Sequence, residues 1–162
     1  MNHTGPYAIP LVSSLGFLSL QRLSPSYLAF YQKLRSQNGV DYLPDLHRTN
    51  ISYIEGTSTQ QELLAQRFVE NDSAIAEFII TADGGAAMAL QKPLSHGTIS
   101  LDPRNPEGYP IVQYNPLMKP IDKEIILAMV RYARDFGADQ NLPFFRQLRR
   151  PSVHNTRLTR RL

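Results

Sequence analysis

The chain has 162 residues, of which 42% are hydrophobic and 19% are charged, and this balance predicts one globular domain and excludes a disordered chain. It contains no cysteine, which excludes disulfides and thiolate metal sites, and its four histidines lack metal-ligand spacing. No apolar run reaches the roughly 18 residues of a membrane span, and the first residues lack a basic segment, so we predict a cytoplasmic protein.

The net charge of +3 is unevenly distributed. Six of the 17 basic residues are arginines between 146 and 162, and the remaining 11 face 14 acidic residues. This arginine-rich segment follows no nucleic-acid-binding module and contains no lysine, so we interpret it as a solvated tail. We therefore predict a domain over 1–145 and a basic tail over 146–162, with neither a nucleic-acid partner nor a membrane partner.

The first helix signal follows a proline. Ser24 precedes Pro25, which is typical of a helix start, and Asn38-Gly39 is typical of a helix end. This pattern predicts a helix over 25–37. We expect residues 40–52 to form a loop.

The second helix is predicted after a short extended piece near 51–54. Ser58 and Thr59 are each followed three residues later by a glutamine or glutamate, which fits a capping box. An apolar stripe continues beyond that point. The sequence therefore predicts a helix over about 59–70.

The middle of the chain predicts strands. Ala74–Ala82 is rich in β-branched and aromatic residues and is followed by Asp83-Gly84-Gly85, which is a typical hairpin turn. We expect Ala86–Gln91 to return antiparallel to it. A third strand is predicted at His96–Leu101 and a fourth at Ile111–Tyr114.

The last predicted helix covers about 121–136. Asp122 is expected to cap it, and its apolar residues share one broad face. The order helix, helix, antiparallel strands, helix predicts the α+β fold class, with an antiparallel β-sheet and helices packed on one face.

The segment PLSHGTISLDPRNPEGYPIVQYNPLMKPID, residues 93–122, combines turn residues, one strand and a helix start at fixed spacing. The residues that form this motif are Pro93, Ser95, Gly97, Thr98, Leu101, Asn105-Pro106, Pro110, Asn115, Leu117 and Asp122. Their order resembles the C-terminal substrate domain of glucose–methanol–choline (GMC) oxidoreductases. The resemblance extends over about residues 3–140, beginning near Gly5-Pro6.

The resemblance implies a sheet that helps to form a substrate cavity and faces the flavin of a second domain. The chain departs from the family in two respects. It contains no G-x-G-x-x-G fingerprint, which a dinucleotide site needs. His154 is followed by Asn-Thr without glycine, so the family's catalytic histidine is not assigned to it. We therefore expect a truncated substrate domain that lacks the FAD-binding domain and uses neither a flavin nor a metal.

Candidate site residues come mainly from the predicted strands. Strand alternation places His96, Thr98 and Ser100 on one face, either as a cavity wall or as a solvated face. His96 is a candidate proton donor or acceptor near neutral pH. Glu77 lies among apolar residues and is either solvated or a perturbed acid. The predicted catalytic residues are His96 and Glu77, and the predicted substrate-binding residues are Thr98, Tyr53, Met88 and Tyr114.

Three functions are compatible with this sequence. The first is a flavin-free, non-redox enzyme of the cyclase or isomerase type that acts on an apolar small molecule, such as a polyketide or terpenoid intermediate. Such a reaction needs mainly a shaped pocket. The second is a non-catalytic binding or partner subunit. The third is a fragment of an FAD-dependent GMC alcohol oxidoreductase.

The predicted strands carry apolar residues on both faces. A sheet that is apolar on both sides must be covered twice, and the helices cover one side. We therefore predict a homodimer in which the second face meets its own copy.

Overall fold

The computed structural model describes residue 12, residues 14–81 and residues 86–138. The predicted turn at 83–85, the end of the predicted domain and the 146–162 tail lie outside these residues, as do Gly5-Pro6 and His154. Among the described residues, no helix is long and apolar enough to cross a membrane.

The main sheet has three antiparallel strands in the order β1 (Ser14–Leu18), β2 (Ala76–Ile80) and β3 (Ala86–Leu90). β2 and β3 are the strands predicted at 74–82 and 86–91, and both are confirmed. β1 was not predicted, because a five-residue segment with a central glycine carries little strand signal.

One face of the main sheet packs against a helix. Phe78 in β2 makes edge-to-face contacts with Tyr132 and Phe136, with ring centroids 6.4 and 5.0 Å apart. Cross-strand neighbours share a face in an antiparallel sheet, so Gly16 and Met88 lie beside Phe78 on this inner face.

The other face, which we call the outer face, is apolar and largely uncovered. Leu15 and Phe17 in β1 are 54% and 61% exposed. The register places the following residues on the same face: Glu77, Ile79, Ala87 and Ala89. One carboxylate therefore lies among five apolar side chains.

The predicted third and fourth strands form a separate unit. β4 (Thr98–Ser100) pairs antiparallel with β5 (Ile111–Gln113), and we call residues 98–113 the ribbon. The expectation that all strands would join one sheet is wrong. Pro93 lacks a backbone N–H for a ladder bond, and the buried Leu94 draws the chain into the core, so the backbone leaves the main sheet before β4 begins.

Short helical pieces fill the predicted loop at 40–52. They comprise a 3-10 turn at Gly39–Tyr42 and α3 (Asp45–Arg48), which follow α1 (Leu20–Leu23) and α2 (Tyr27–Ser36). The predicted helix at 25–37 corresponds to α2 and is confirmed.

The long helix α4 (Ile51–Phe68) begins earlier than predicted. Asn50 caps it by accepting a hydrogen bond from the Ser52 amide at 3.0 Å, so the extended piece near 51–54 is wrong. Ser58 and Thr59 do not cap. Their hydroxyls donate to the carbonyl oxygens four residues earlier, which is how such residues are accommodated inside a helix.

The last helix, α5 (Pro120–Ala138), extends the predicted helix at 121–136. Pro120 occupies the first helical position, where a missing N–H costs nothing. Together, the helices and the inner face of the sheet enclose one core, whose buried side chains include Leu20, Leu34, Phe68, Ile75, Leu94, Ile121 and Ile125. The α+β class, with helices on one face of an antiparallel sheet, is confirmed.

Candidate functional site

A cleft of about 720 Å³ lies where the end of β3, the ribbon and α5 meet. Its walls are mostly apolar, with a few polar groups between them, which is the usual composition of a small-molecule site. The apolar lining comes from Ala89, Leu90, Pro93, Ile99, Val112, Pro116, Leu117 and Ile126, and the polar lining from Ser95, Thr98, Gln113, Tyr114, Asn115 and Asp122. Gly97 completes it.

Asp122 is the only carboxylate among the lining residues, and it is 1% exposed. Its oxygens accept hydrogen bonds from the Leu94 amide at 3.0 Å, the Ser95 amide at 2.7 Å and the Ser95 hydroxyl at 2.6 Å. The carboxylate is therefore engaged in holding residues 94–95. It does not cap α5, which corrects the sequence-based expectation.

Ser95 links the two ends of the GMC-like motif. Its hydroxyl donates to Asp122 and accepts a hydrogen bond from the Lys119 amide at 3.0 Å. Gly97 is close-packed, since a Cβ there would lie 2.4 Å from the carbonyl oxygen of Gln113 and 2.9 Å from that of Tyr114. These contacts explain a serine and a glycine at these two positions of the segment that leads into the ribbon.

A lysine lies buried beneath the same region. Lys119 is 1% exposed, and its Nζ donates to Gln61 Oε1 at 3.0 Å. The Gln61 amide in turn donates to the carbonyl oxygens of Leu34 and Gln37. Burial lowers the pKa of Lys119, and the charge of Asp122 opposes that shift.

His96 follows Ser95 and precedes Gly97, but its side chain is not part of the cleft lining. Burial, then the charges of Lys119 and His47, lower the pKa of His96, and Asp122 opposes them. Its Nε2 is buried and has no hydrogen-bond partner within the described part of the chain. The imidazole is therefore held neutral behind the cleft wall.

The other predicted site residues are distributed over four places. Thr98 and Tyr114 line the cleft. Met88 packs against the core from the inner face. On the outer face, Glu77 accepts a hydrogen bond from the side-chain amide of Gln91 at 2.7 Å. Tyr53 in α4 stacks on His47, with ring centroids 4.3 Å apart. The structure thus brings two of the six residues together at this cleft.

The turn after β5 has an unusual backbone. Asn115 and Leu117, which both line the cleft, have positive φ angles of 42° and 59°. Asparagine tolerates this conformation, whereas leucine is strained by it. The cleft wall between β5 and α5 therefore contains a locally strained residue.

A second, more polar cleft of about 410 Å³ lies between the ribbon and α3. Thr98, Gln113 and Asn115 line both clefts. The ribbon is thus the partition between them.

Sequence reasoning missed Ser95, Gln113 and Lys119 as site residues. Ser95 belongs to the motif that carried the family resemblance, and that signal could have indicated it. Gln113 lies opposite Thr98 in the ribbon register, which could not be known before β4 and β5 were paired. Lys119 precedes a helix in a polar turn, where a lysine ordinarily lies in solvent.

Two solved structures are similar to this chain. A fungal aryl-alcohol oxidase has a TM-score of 0.76 and 25% sequence identity, with 89% of this chain and 24% of that one covered. An FAD-dependent oxidoreductase from Chaetomium thermophilum, solved with a bound butanamide fragment, has the same TM-score and identity over 88% of this chain and 24% of that one. The chain has the fold of part of a GMC oxidoreductase.

This confirms the predicted resemblance. The GMC-like chain spans about a quarter of the length of those two proteins, 24% in each case. No protein-family model matches it. No curated protein matches it either.

The sequence contains no G-x-G-x-x-G dinucleotide fingerprint. A dinucleotide site needs a glycine-rich turn between a strand and a helix, and no two of the nine glycines are separated by a single residue. Over the ranges that the structure describes, no group of three His, Asp or Glu side chains is placed to hold a metal ion.

Proposed function

We propose that this chain is a flavin-free GMC-type substrate domain that binds an apolar small molecule in the cleft and converts it without change of mass, as a cyclase or isomerase does. The observation that carries the proposal is the 720 Å³ cleft, whose mostly apolar walls come from the end of β3, the ribbon and α5. A polyketide or terpenoid intermediate has the matching chemistry, because it is largely apolar and ready to react once it is oriented.

In this proposal the cleft orients the substrate and His96 handles a proton. Thr98 and Tyr114 lie where a bound molecule would contact them. His96 is neutral near pH 7 because its pKa is lowered, but its side chain lies outside the lining and its Nε2 is buried. Its proposed role therefore requires that a bound molecule reach Nε2 from the cleft. Glu77 lies on the outer face, so a catalytic role for it belongs to a site on that face and not to the cleft.

The test is incubation of the purified chain with apolar polyketide or terpenoid precursors in the absence of any redox cofactor. We expect a product of unchanged mass, and we expect H96N to bind the precursor but to form the product more slowly. Chromatography with mass detection measures both. A reaction that proceeds only after flavin is added contradicts the proposal.

A second candidate is a fragment or partner subunit of an FAD-dependent oxidoreductase. The specific observations that favour it are the 24% coverage of the two similar structures and the exposed Leu15 and Phe17 on the outer face. For this candidate, native protein carries a flavin absorbance band through gel filtration or binds a separate flavoprotein. For the first proposal it carries none.

The proposed homodimer and the proposed cytoplasmic location belong to the first candidate. The outer face presents the exposed Leu15 and Phe17, with Ile79 opposite Leu15, and in this proposal a second copy of the chain covers them. Sedimentation equilibrium at micromolar concentration tests this, and a monomer at all concentrations contradicts it.

A further inference from the structure

We infer that the cleft selects neutral ligands that carry a hydrogen-bond acceptor, and that the side-chain amide of Gln113 recognises that acceptor. The inference rests on the proposed function, because it assumes that the cleft binds a small molecule. It adds the class of ligand and the residue that determines specificity.

Among the described residues that line the cleft, none provides an unpaired charge for a ligand. Among the described lining residues, Asp122 is the only carboxylate and there is no Lys, Arg or His, and three donors from residues 94–95 already occupy the oxygens of Asp122. The buried ammonium of Lys119 lies close enough to Asp122 for their charges to interact. A charged ligand would thus lose water without gaining an opposite charge, which is costly in an apolar site.

Most polar groups of the cleft are already engaged with each other. The Ser95 hydroxyl both donates and accepts, so it has little capacity left for a ligand. The Thr98 hydroxyl donates to Gln113 Oε1 at 3.2 Å. That bond occupies the acceptor end of the Gln113 amide and leaves its NH₂ end, which makes no hydrogen bond within the described part of the chain.

The register of the ribbon fixes this arrangement. Thr98 and Gln113 are directly opposite each other, so the hydroxyl and the amide meet across the two strands. Thr98 is buried, whereas Gln113 is exposed along the cleft. Two N–H donors on an oriented amide suit a carbonyl, ether or hydroxyl oxygen on an otherwise apolar ligand.

The test compares three probes with one skeleton: 2-acetylnaphthalene, 2-ethylnaphthalene and 2-naphthoate. Calorimetric titration of the full chain is expected to give about fivefold tighter binding for the ketone than for the hydrocarbon, as one neutral hydrogen bond provides. The anion is expected to bind at least about tenfold more weakly than the ketone.

Four variants test whether Gln113 is responsible for the ketone preference. Q113M removes the donors at similar length, and Q113E keeps the shape but cannot donate, so both should reduce the ketone preference below about twofold. T98V should weaken that preference, because it removes the hydroxyl that orients the Gln113 amide, and T98S should retain it. Circular dichroism and unfolding curves check that each variant folds.

The possible results distinguish a failure of the proposed function from a failure of the inference about Gln113. If none of the probes binds, the proposed function fails and the inference fails with it. If the probes bind but naphthoate matches the ketone, or the ketone preference survives in Q113M, the proposed function stands and the inference is wrong.

Discussion

The body of the chain, formed by helices α1–α5 and the main sheet, and the ribbon are held in place by different forces. In the body, Leu20, Phe68 and Ile125 are fully buried in one core. In the ribbon, Ile99 is 74% exposed and Val112 is 60% exposed. The segment that leads into the ribbon, residues 94–95, is held to the body by hydrogen bonds to Asp122.

This difference assigns stability and recognition to separate parts of the molecule. Apolar burial contributes about 25 cal/mol per Å² of buried surface, and the ribbon side chains bury little. Ribbon side chains line two clefts instead. Substitutions in the body should therefore change the free energy of unfolding, and substitutions in the ribbon should change ligand binding.

The largest effect is expected where the two parts are joined. D122A leaves one buried and two half-buried donors without their acceptor and removes the charge near Lys119, so it should lower the free energy of unfolding by about 4 kcal/mol. Urea unfolding followed by circular dichroism measures this. The exposed Asp72 provides the control, because D72A should stay within about 0.5 kcal/mol of the parent protein.

A matched pair of isoleucines tests the comparison directly. I125A leaves a cavity at a fully buried position and should lower the free energy of unfolding by about 3 kcal/mol. I99A truncates a side chain that is 74% exposed and should lower it by less than about 0.5 kcal/mol. The same unfolding measurement serves both. Equal losses for the two variants would mean that the ribbon contributes to the core after all.

Much of the body could be predicted from sequence, because its elements carry local signals. The Ser24-Pro25 start of α2, the β-branched residues of β2 and the apolar face of α5 each gave a nearly correct element. α4 was misplaced because its first half carries Ile51, Ile54 and Gly56, which disfavour a helix locally, while Asn50 and tertiary packing stabilise it.

The site was less predictable, because it depends on contacts between distant residues. Ser95 and Asp122 are 27 positions apart, and the pairing of Thr98 with Gln113 exists only once β4 and β5 have met. Strand alternation placed His96 and Thr98 on one face, but it could not show that the buried Lys119 lies near that face.

The free energy of unfolding should also depend on pH through His96. The pKa of His96 is lowered in the folded protein, mainly by burial and then by Lys119 and His47, against Asp122. The unfolded chain therefore binds the proton more tightly, and the free energy of unfolding should fall as the pH drops below about 6.5. H96Q should flatten this dependence between about pH 5 and 7. An unchanged slope in that variant would assign it to another group.

The smallest expected change in stability comes from substitution of Gly56, and Gly97 provides the contrast. Gly56 is an exposed helical position with nothing within 4 Å of an added Cβ, so G56A should stabilise the chain by about 0.7 kcal/mol. G97A should instead distort the ribbon, because its Cβ would lie 2.4 Å from the Gln113 carbonyl oxygen. We expect G97A to lose cleft binding. Full binding in G97A would show that the ribbon is not needed for recognition.

We propose that this chain binds a small molecule in the 720 Å³ cleft between β3, the ribbon and α5. The most direct measurement is an amide chemical-shift titration of the full chain with 2-acetylnaphthalene. We expect the amide chemical-shift changes to concentrate in three segments that line the cleft, at 89–90, 95–99 and 112–117. Shifts that concentrate instead on the outer face around Leu15 and Phe17, or no shifts at saturating probe, would contradict it.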